Sequence, residues 1–132
     1  MDINYLAVVA AALSTFLIGG LWFSPILFQR SWMEAAGLKP QDLESANMAK
    51  IFGLAFVFEL VMAGNLAAFL SGPDTTVGFG AAAGASAGIG WVALGVGILA
   101  LFERRSWKYT AINGGYFAVS FTVMGVILGA WR

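Results

Sequence analysis

Residues 77–102 read VGFGAAAGASAGIGWVALGVGILALF, 26 consecutive positions without a charge. A bilayer core of about 30 Å is crossed by about 20 helical residues, so this run spans with room for tilt. Lipid offers backbone N–H and C=O groups no partner, and a run this long must therefore be helical. Three further stretches lie around it. Residues 3–23 carry no charge, residues 109–131 carry none, and residues 51–71 carry only Glu59. A soluble bundle would need a polar face on each helix, and three of the four runs have almost none. The sequence predicts an all-α, integral membrane four-transmembrane-helix bundle in one domain over residues 1–132.

Composition agrees. The chain is 60% hydrophobic and 11% charged, against soluble averages of about 45–50% and about 25%. Its formal net charge is zero, so no basic field calls for nucleic acid. It has no Cys and no His. This removes disulfides, thiolate and imidazole chemistry and the usual zinc, copper and haem ligands; no metal and no cofactor is expected. The start, Met1-Asp2-Ile3, lacks the basic region of a signal peptide, and the apolar run after it exceeds a signal's core. The first span is expected to be retained.

The connections are marked by turn residues. Gly72-Pro73-Asp74-Thr75-Thr76 is a tight turn whose Asp and Thr can cap the next helix. The longest connection runs from Ser24 to Lys50. Ser24-Pro25 reads as an N-cap followed by Pro at the first helical position, and Gly37 as a C-terminal stop. The helix between them, about residues 25–36, carries Phe28, Trp32, Ala35 and Ala36 on one face and Arg30 and Glu34 on another. It is predicted to lie along the membrane surface. Pro40 is read as the start of a helix that continues into the second span.

Lys and Arg set the orientation. The two loops on one side hold Arg30, Lys39, Lys50, Arg104, Arg105 and Lys108; the other side holds only Arg132. Both charged loops are therefore expected in the cytoplasm and both termini outside. Trp22, Trp32, Trp107 and Trp131 stand near span ends, as interfacial anchors do.

Two sets of residues carry a family resemblance. One is Asn4-Tyr5-Leu6-Ala7, Gly19-Gly20-Leu21-Trp22-Phe23-Ser24-Pro25 and Trp32-Met33. The other is Leu101-Phe102-Glu103, Ile112-Asn113-Gly114-Gly115-Tyr116 and Gly125-Val126-Ile127-Leu128-Gly129-Ala130-Trp131. The chain resembles, over nearly its whole length, a bacterial family of small four-helix membrane proteins of unknown function, most specifically in Trp-aromatic-Ser-Pro. The resemblance implies the fold and a bacterial cytoplasmic (inner) membrane location, and brings no activity. Many members resemble one another in a His after the Tyr, where this chain has Phe117; any role of that His is absent here.

Glu59 is the sharpest chemical signal, eight residues after Ile51 and 12 before Ser71. A charge at that depth costs about 2.5–3.5 kcal/mol on the insertion scale. No span supplies a basic partner, so Glu59 must be protonated, hydrogen-bonded, hydrated or bound to a cation. It is expected to face the bundle or a subunit interface, within reach of Tyr116, Ser120, Ser14 or Trp91. Counting along antiparallel spans puts Ser14, Thr15, Trp91 and Ser120 in its layer. Asn113, Tyr116 and Ser120 share one face of the fourth span, so they are expected to face protein, either lining a cavity with Glu59 or forming a hydrogen-bonded seam. Asn65 lies roughly 120° around the helix from Glu59 and need not share its site. Gly80, Gly84 and Gly88, with Gly125 and Gly129, are read as helix-packing positions. Arg104, Arg105 and Lys108 orient the chain and are candidates for lipid head groups.

Three function classes follow. A non-catalytic module that packs with lipid, with a partner or with itself as a homo-oligomer of parallel subunits demands least. A small proton-coupled transporter or cation-binding protein would use Glu59; small multidrug exporters share that architecture, by analogy only, and the six-to-one charge bias disfavours their antiparallel dimers. A small membrane-embedded transferase is last, because Ser, Tyr, Glu and Arg are a poor catalytic inventory without His, Cys or metal. No small-molecule ligand can be named.

Overall fold

The structure, a computed structural model, describes residues 2–132. All regular structure among them is helical: α1 (Tyr5–Trp22), α2 (Gln29–Ala36), α3 (Pro40–Glu44), α4 (Met48–Phe69), α5 (Val77–Ala87), a π-helical segment (Gly88–Ala93), α6 (Leu94–Phe102) and α7 (Trp107–Ala130). α5, the π segment and α6 run on as one helix, Val77–Phe102. With α1, α4 and α7 this makes four helices long and apolar enough to cross a bilayer. Much of their outer surface is apolar and exposed, including Leu6, Leu17, Phe58 and Phe102. Water would not tolerate so continuous an apolar surface, whereas lipid would.

Each long helix starts at a side-chain cap. Asn4 accepts from the backbone N–H groups of Leu6 and Ala7, Asn47 from Lys50, Thr76 from Phe79 and Ser106 from Tyr109. These contacts satisfy orphan N–H groups. Two boundary expectations are corrected. Ser24 does not open α2: its Oγ donates to the Leu21 carbonyl at the end of α1, 2.6 Å away, and α2 begins only at Gln29. Pro40 does open a helix, but it is five residues long and stops at Ser45; Asn47 then caps α4 anew. Gly37 ends α2 in the left-handed conformation, φ 71°, which a side chain would strain.

α7 is the central helix. It packs against α1, α2, α5, the π segment and α6, and touches α4 least; α4 leans mainly on α1. The α5–α7 contact is made by glycines. A methyl group built at Gly80 would run into the Gly125 carbonyl, one at Gly84 into the Phe121 carbonyl, and one at Gly129 into the Thr76 carbonyl. The two glycine rows therefore face each other, and backbone meets backbone. The core beside them is made of small and medium side chains: Ala7, Ala11 and Ala12 from α1, Ala63 from α4, Met124 and Leu128 from α7. α4 and α5 splay apart. Between them an apolar groove of about 850 Å³ opens sideways, lined by residues that include Met62, Asn65, Phe79, Ser86 and Trp91.

Candidate functional site

Three buried side chains among the described residues are polar or charged in the strict sense: Thr15 at 0% exposure, Glu59 at 8% and Ser120 at 0%. Tyr116, also buried, joins them. α4 presents Glu59, α7 presents Tyr116 and, one turn on, Ser120, and α1 presents Thr15. The Tyr116 hydroxyl lies 3.1 Å from Glu59 Oε1 and 3.1 Å from the Thr15 backbone carbonyl. One phenol thus bridges three helices. It fits because α1 has Gly19 there: a Cβ at that position would sit 3.0 Å from the Tyr116 hydroxyl oxygen. Glu59 Oε2 and Ser120 Oγ are buried with no hydrogen-bond partner among the described residues.

An aromatic layer covers this centre toward α2. Phe23, at the end of α1, meets the Tyr116 ring edge-on at 5.3 Å, and Trp32 of α2 meets Phe23 at 5.1 Å. Trp22 donates from Nε1 to the Ile112 carbonyl at 2.9 Å, and Gly115 leaves room for its indole, since a Cβ there would sit 3.2 Å from Cζ2. Gly114 likewise admits Ala93 of the π segment. Gly19-Gly20-Leu21-Trp22-Phe23 and Ile112-Asn113-Gly114-Gly115-Tyr116, some 90 residues apart in sequence, thus build one site.

α2 is held beneath it by polar contacts. Lys108 donates to Glu34 Oε2 at 3.1 Å, and Arg105 donates to the Ala36 carbonyl at 3.0 Å. The second contact puts a cation at a helix C-terminus, where the helix dipole favours it. Arg30 adds a pair with Glu34 at 3.6 Å. The Lys108 ammonium holds the Glu34 carboxyl below the usual carboxylate range.

The other sequence candidates lie elsewhere. Trp91 is 80% exposed and borders the α4–α5 groove; counting residues gives its depth, but the helix turns it away from Glu59. Asn113 is half-buried and donates to the Tyr109 carbonyl of its own helix at 3.0 Å, which satisfies it locally and keeps it out of the centre. Ser14 similarly donates to the Ala11 carbonyl at 2.6 Å. Asn65 lines the groove, apart from the Glu59 centre. Of the three basic candidates, Arg105 and Lys108 are engaged with α2, while Arg104 is exposed at φ 59°. Counting along the spans does not reveal the Thr15 carbonyl, the Gly19 notch or the Phe23–Trp32 cover. Gly19-Gly20 and the Trp-Phe-Ser-Pro run are their only sequence signal. No group of three or more Asp and Glu that could hold a metal ion occurs among the described residues.

These features define a class: a four-helix protein fit to span a membrane, with one buried carboxyl–phenol pair at the junction of three helices. The chain belongs to the family described as protein of unknown function (DUF1761), whose model matches residues 6–129. No curated protein and no solved structure matches it.

Proposed function

We propose that the protein is a non-catalytic, multi-pass module of the bacterial cytoplasmic membrane, with both termini outside, in which a protonated Glu59 ties three spans together. The carrying observation is a proton count. The Tyr116 hydroxyl has one proton and two oxygen neighbours at 3.1 Å. It can donate to only one. The Thr15 carbonyl has no proton to give, so both contacts are hydrogen bonds at once only when the phenol donates to Thr15 and Glu59 supplies the proton for the second. The cost of a bare carboxylate in hydrocarbon supports the same state, as does the lack of any basic side chain in contact with it. On this reading the partners are bilayer lipid and parallel copies of the chain. The absence of His and Cys supports a non-catalytic role.

Stability in mild detergent tests it. Glu59→Gln keeps a donor and an acceptor and is expected to change stability little, by under about 0.5 kcal/mol. Glu59→Leu removes an interhelical hydrogen bond and is expected to cost about 0.6–1.7 kcal/mol. If Gln is as damaging as Leu, the protonated-donor reading fails.

A second reading is a small proton-coupled transporter or cation-binding protein centred on Glu59. The observation in its favour is that Glu59 Oε2 and Ser120 Oγ are buried without partners, leaving oxygen lone pairs free for an exchanging ion. Glu59→Gln would then fold normally but lose pH-dependent binding or flux in proteoliposomes.

A further inference from the structure

The polar centre is not equally insulated from its two ends. Toward the N-terminus of α1, the layers beyond Thr15 are Ala11 and Ala12, then Ala7 and Val8, all buried and closed by Met124 and Leu128 of α7. Thr15 to Asn4 is about 16 Å of helix, whereas Thr15 to Phe23 is about 12 Å. The shorter side is covered differently. Phe23 and Trp32 are each only half-buried, and Trp32 sits on α2, which is held from outside by the exposed Lys108–Glu34 pair and the Arg105–Ala36 contact. Exposed ion pairs contribute little to stability. The cover on this side is thus a short helix on weak surface ties, while on the other side a small pocket reaches Ala7 and Leu128 and the buried layers of Ala11, Ala12 and Met124 lie between it and the centre. Openings of the least packed elements precede global unfolding.

We propose that the Glu59 carboxyl is a proton-binding site filled and emptied from the α2 side of the bundle, with Phe23 and Trp32 as its gate. This rests on Glu59 being the protonated donor described above. When the gate opens, Glu59 passes its proton to water on that side. The Tyr116 proton then turns from the Thr15 carbonyl to the new carboxylate, and the α7–α1 bond is released; reprotonation restores it. One proton leaves and one returns, and no co-reactant is needed. No other ionisable group competes at the centre. α1 carries only Tyr5 and α4 only Lys50 besides Glu59, both near the helix starts, and residues 77–102 carry none. On α7, Tyr109 and Lys108 lie about two turns from Tyr116 and Arg132 follows its far end. On α2 and the α6–α7 loop, Arg30, Glu34, Glu103, Arg104 and Arg105 are all exposed.

Infrared spectroscopy of the protein in lipid bilayers at neutral pH tests both steps. The carbonyl stretch of a protonated carboxyl, identified by its loss in Glu59→Gln, is followed as it shifts on transfer to heavy water. Exposed carboxyls are ionised at that pH and do not overlap it. Absence of the band overturns the protonated-donor reading and this proposal with it. With the band present, its exchange rate is compared in wild type, Trp32→Ala, Phe23→Ala and Leu128→Ala. The two gate variants are expected to exchange about tenfold faster, the factor that losing roughly 1.4 kcal/mol of closing free energy produces, with Leu128→Ala unchanged. Should Phe23→Ala fail to fold, Trp32→Ala on the surface helix decides alone. A rate unaltered by Trp32→Ala, or raised as much by Leu128→Ala, places the access path elsewhere and overturns the gate.

Discussion

A single hydroxyl sets the chemistry of the buried centre. Removing it by Tyr116→Phe leaves the Glu59 carboxyl without its hydrogen-bond partner and the ring otherwise in place against Phe23. Burying a group that has lost its partner costs about 1–3 kcal/mol, which unfolding in mild detergent will show as a loss of stability. Ser120→Ala is expected to move the other way or not at all, because the hydroxyl it removes already lacks a partner at 0% exposure. A clear loss in Ser120→Ala would mean that the hydroxyl has a partner after all. This centre is half legible in the sequence. Glu59 announces itself by its depth without a basic partner, and Tyr116 and Ser120 by sharing a helix face. Thr15 falls in the right layer, but what it contributes is a main-chain carbonyl, which no side-chain pattern encodes. Trp91 and Asn113 depart from expectation for different reasons. Depth along a helix does not fix rotation about it, so Trp91 points to the groove. A mid-helix Asn can satisfy itself on the carbonyl one turn back, so Asn113 needs no partner across the bundle.

At the scale of elements, the glycine rows and α2 behave differently. Gly84 lies directly against the α7 backbone, so Gly84→Ala drives α5 and α7 apart and is expected to cost about 1–3 kcal/mol, the usual penalty of overpacking. A methyl group at Gly90 would meet nothing within 4 Å, so Gly90→Ala is expected to be neutral or to gain up to about 1 kcal/mol of helix propensity. Equal effects of the two substitutions in a detergent unfolding titration would refute the close contact. The spacing of the glycines shows that each row packs; that the rows pack on each other is visible only in the fold. The π segment is not legible at all, since its six residues continue the apolar, glycine-rich pattern of the helices on either side. α2 should respond to acid. The Glu34 carboxyl is held below its ordinary range by Lys108, so its contribution to docking is present above the solution value of about 4.3 and is lost as pH falls through the lower folded value. The part of the tryptophan fluorescence that Trp32→Phe removes is expected to report loosening of α2 below about pH 4. In Lys108→Ala the same acid step should disappear, and raised salt should weaken it in the wild type.

Over the whole molecule, orientation in the membrane decides what the centre can do, because a path from the α2 side opens to whichever compartment that side faces. Glu59 lies between two ends of unlike character. One end has α2, α3 and the α6–α7 loop, with Arg30, Lys39, Lys50, Arg104, Arg105 and Lys108; the other has the Gly72–Thr76 turn and Arg132. Even Arg132 is tied down, since its guanidinium donates to the Thr75 and Gly72 carbonyls. An excess of Lys and Arg in short loops marks the cytoplasmic side, and a bias of six against one is expected to select a single orientation. The chain's lack of cysteine makes the prediction clean to test, because one introduced thiol is the only reactive one. Ser45→Cys and Arg104→Cys are expected to be shielded from an impermeant thiol reagent in intact cells and to react after permeabilisation, whereas Asp74→Cys is expected to react in intact cells. The reverse pattern would invert the topology and place the α2 gate outside. Partial labelling at all three positions would mean that both orientations occur, as an antiparallel assembly requires, and would remove the case for parallel subunits. That case is already narrower than the sequence implies. The glycine rows, the helix-packing positions of the sequence, are used within one subunit, and the splayed α4–α5 face is the surface left for a neighbour or for lipid.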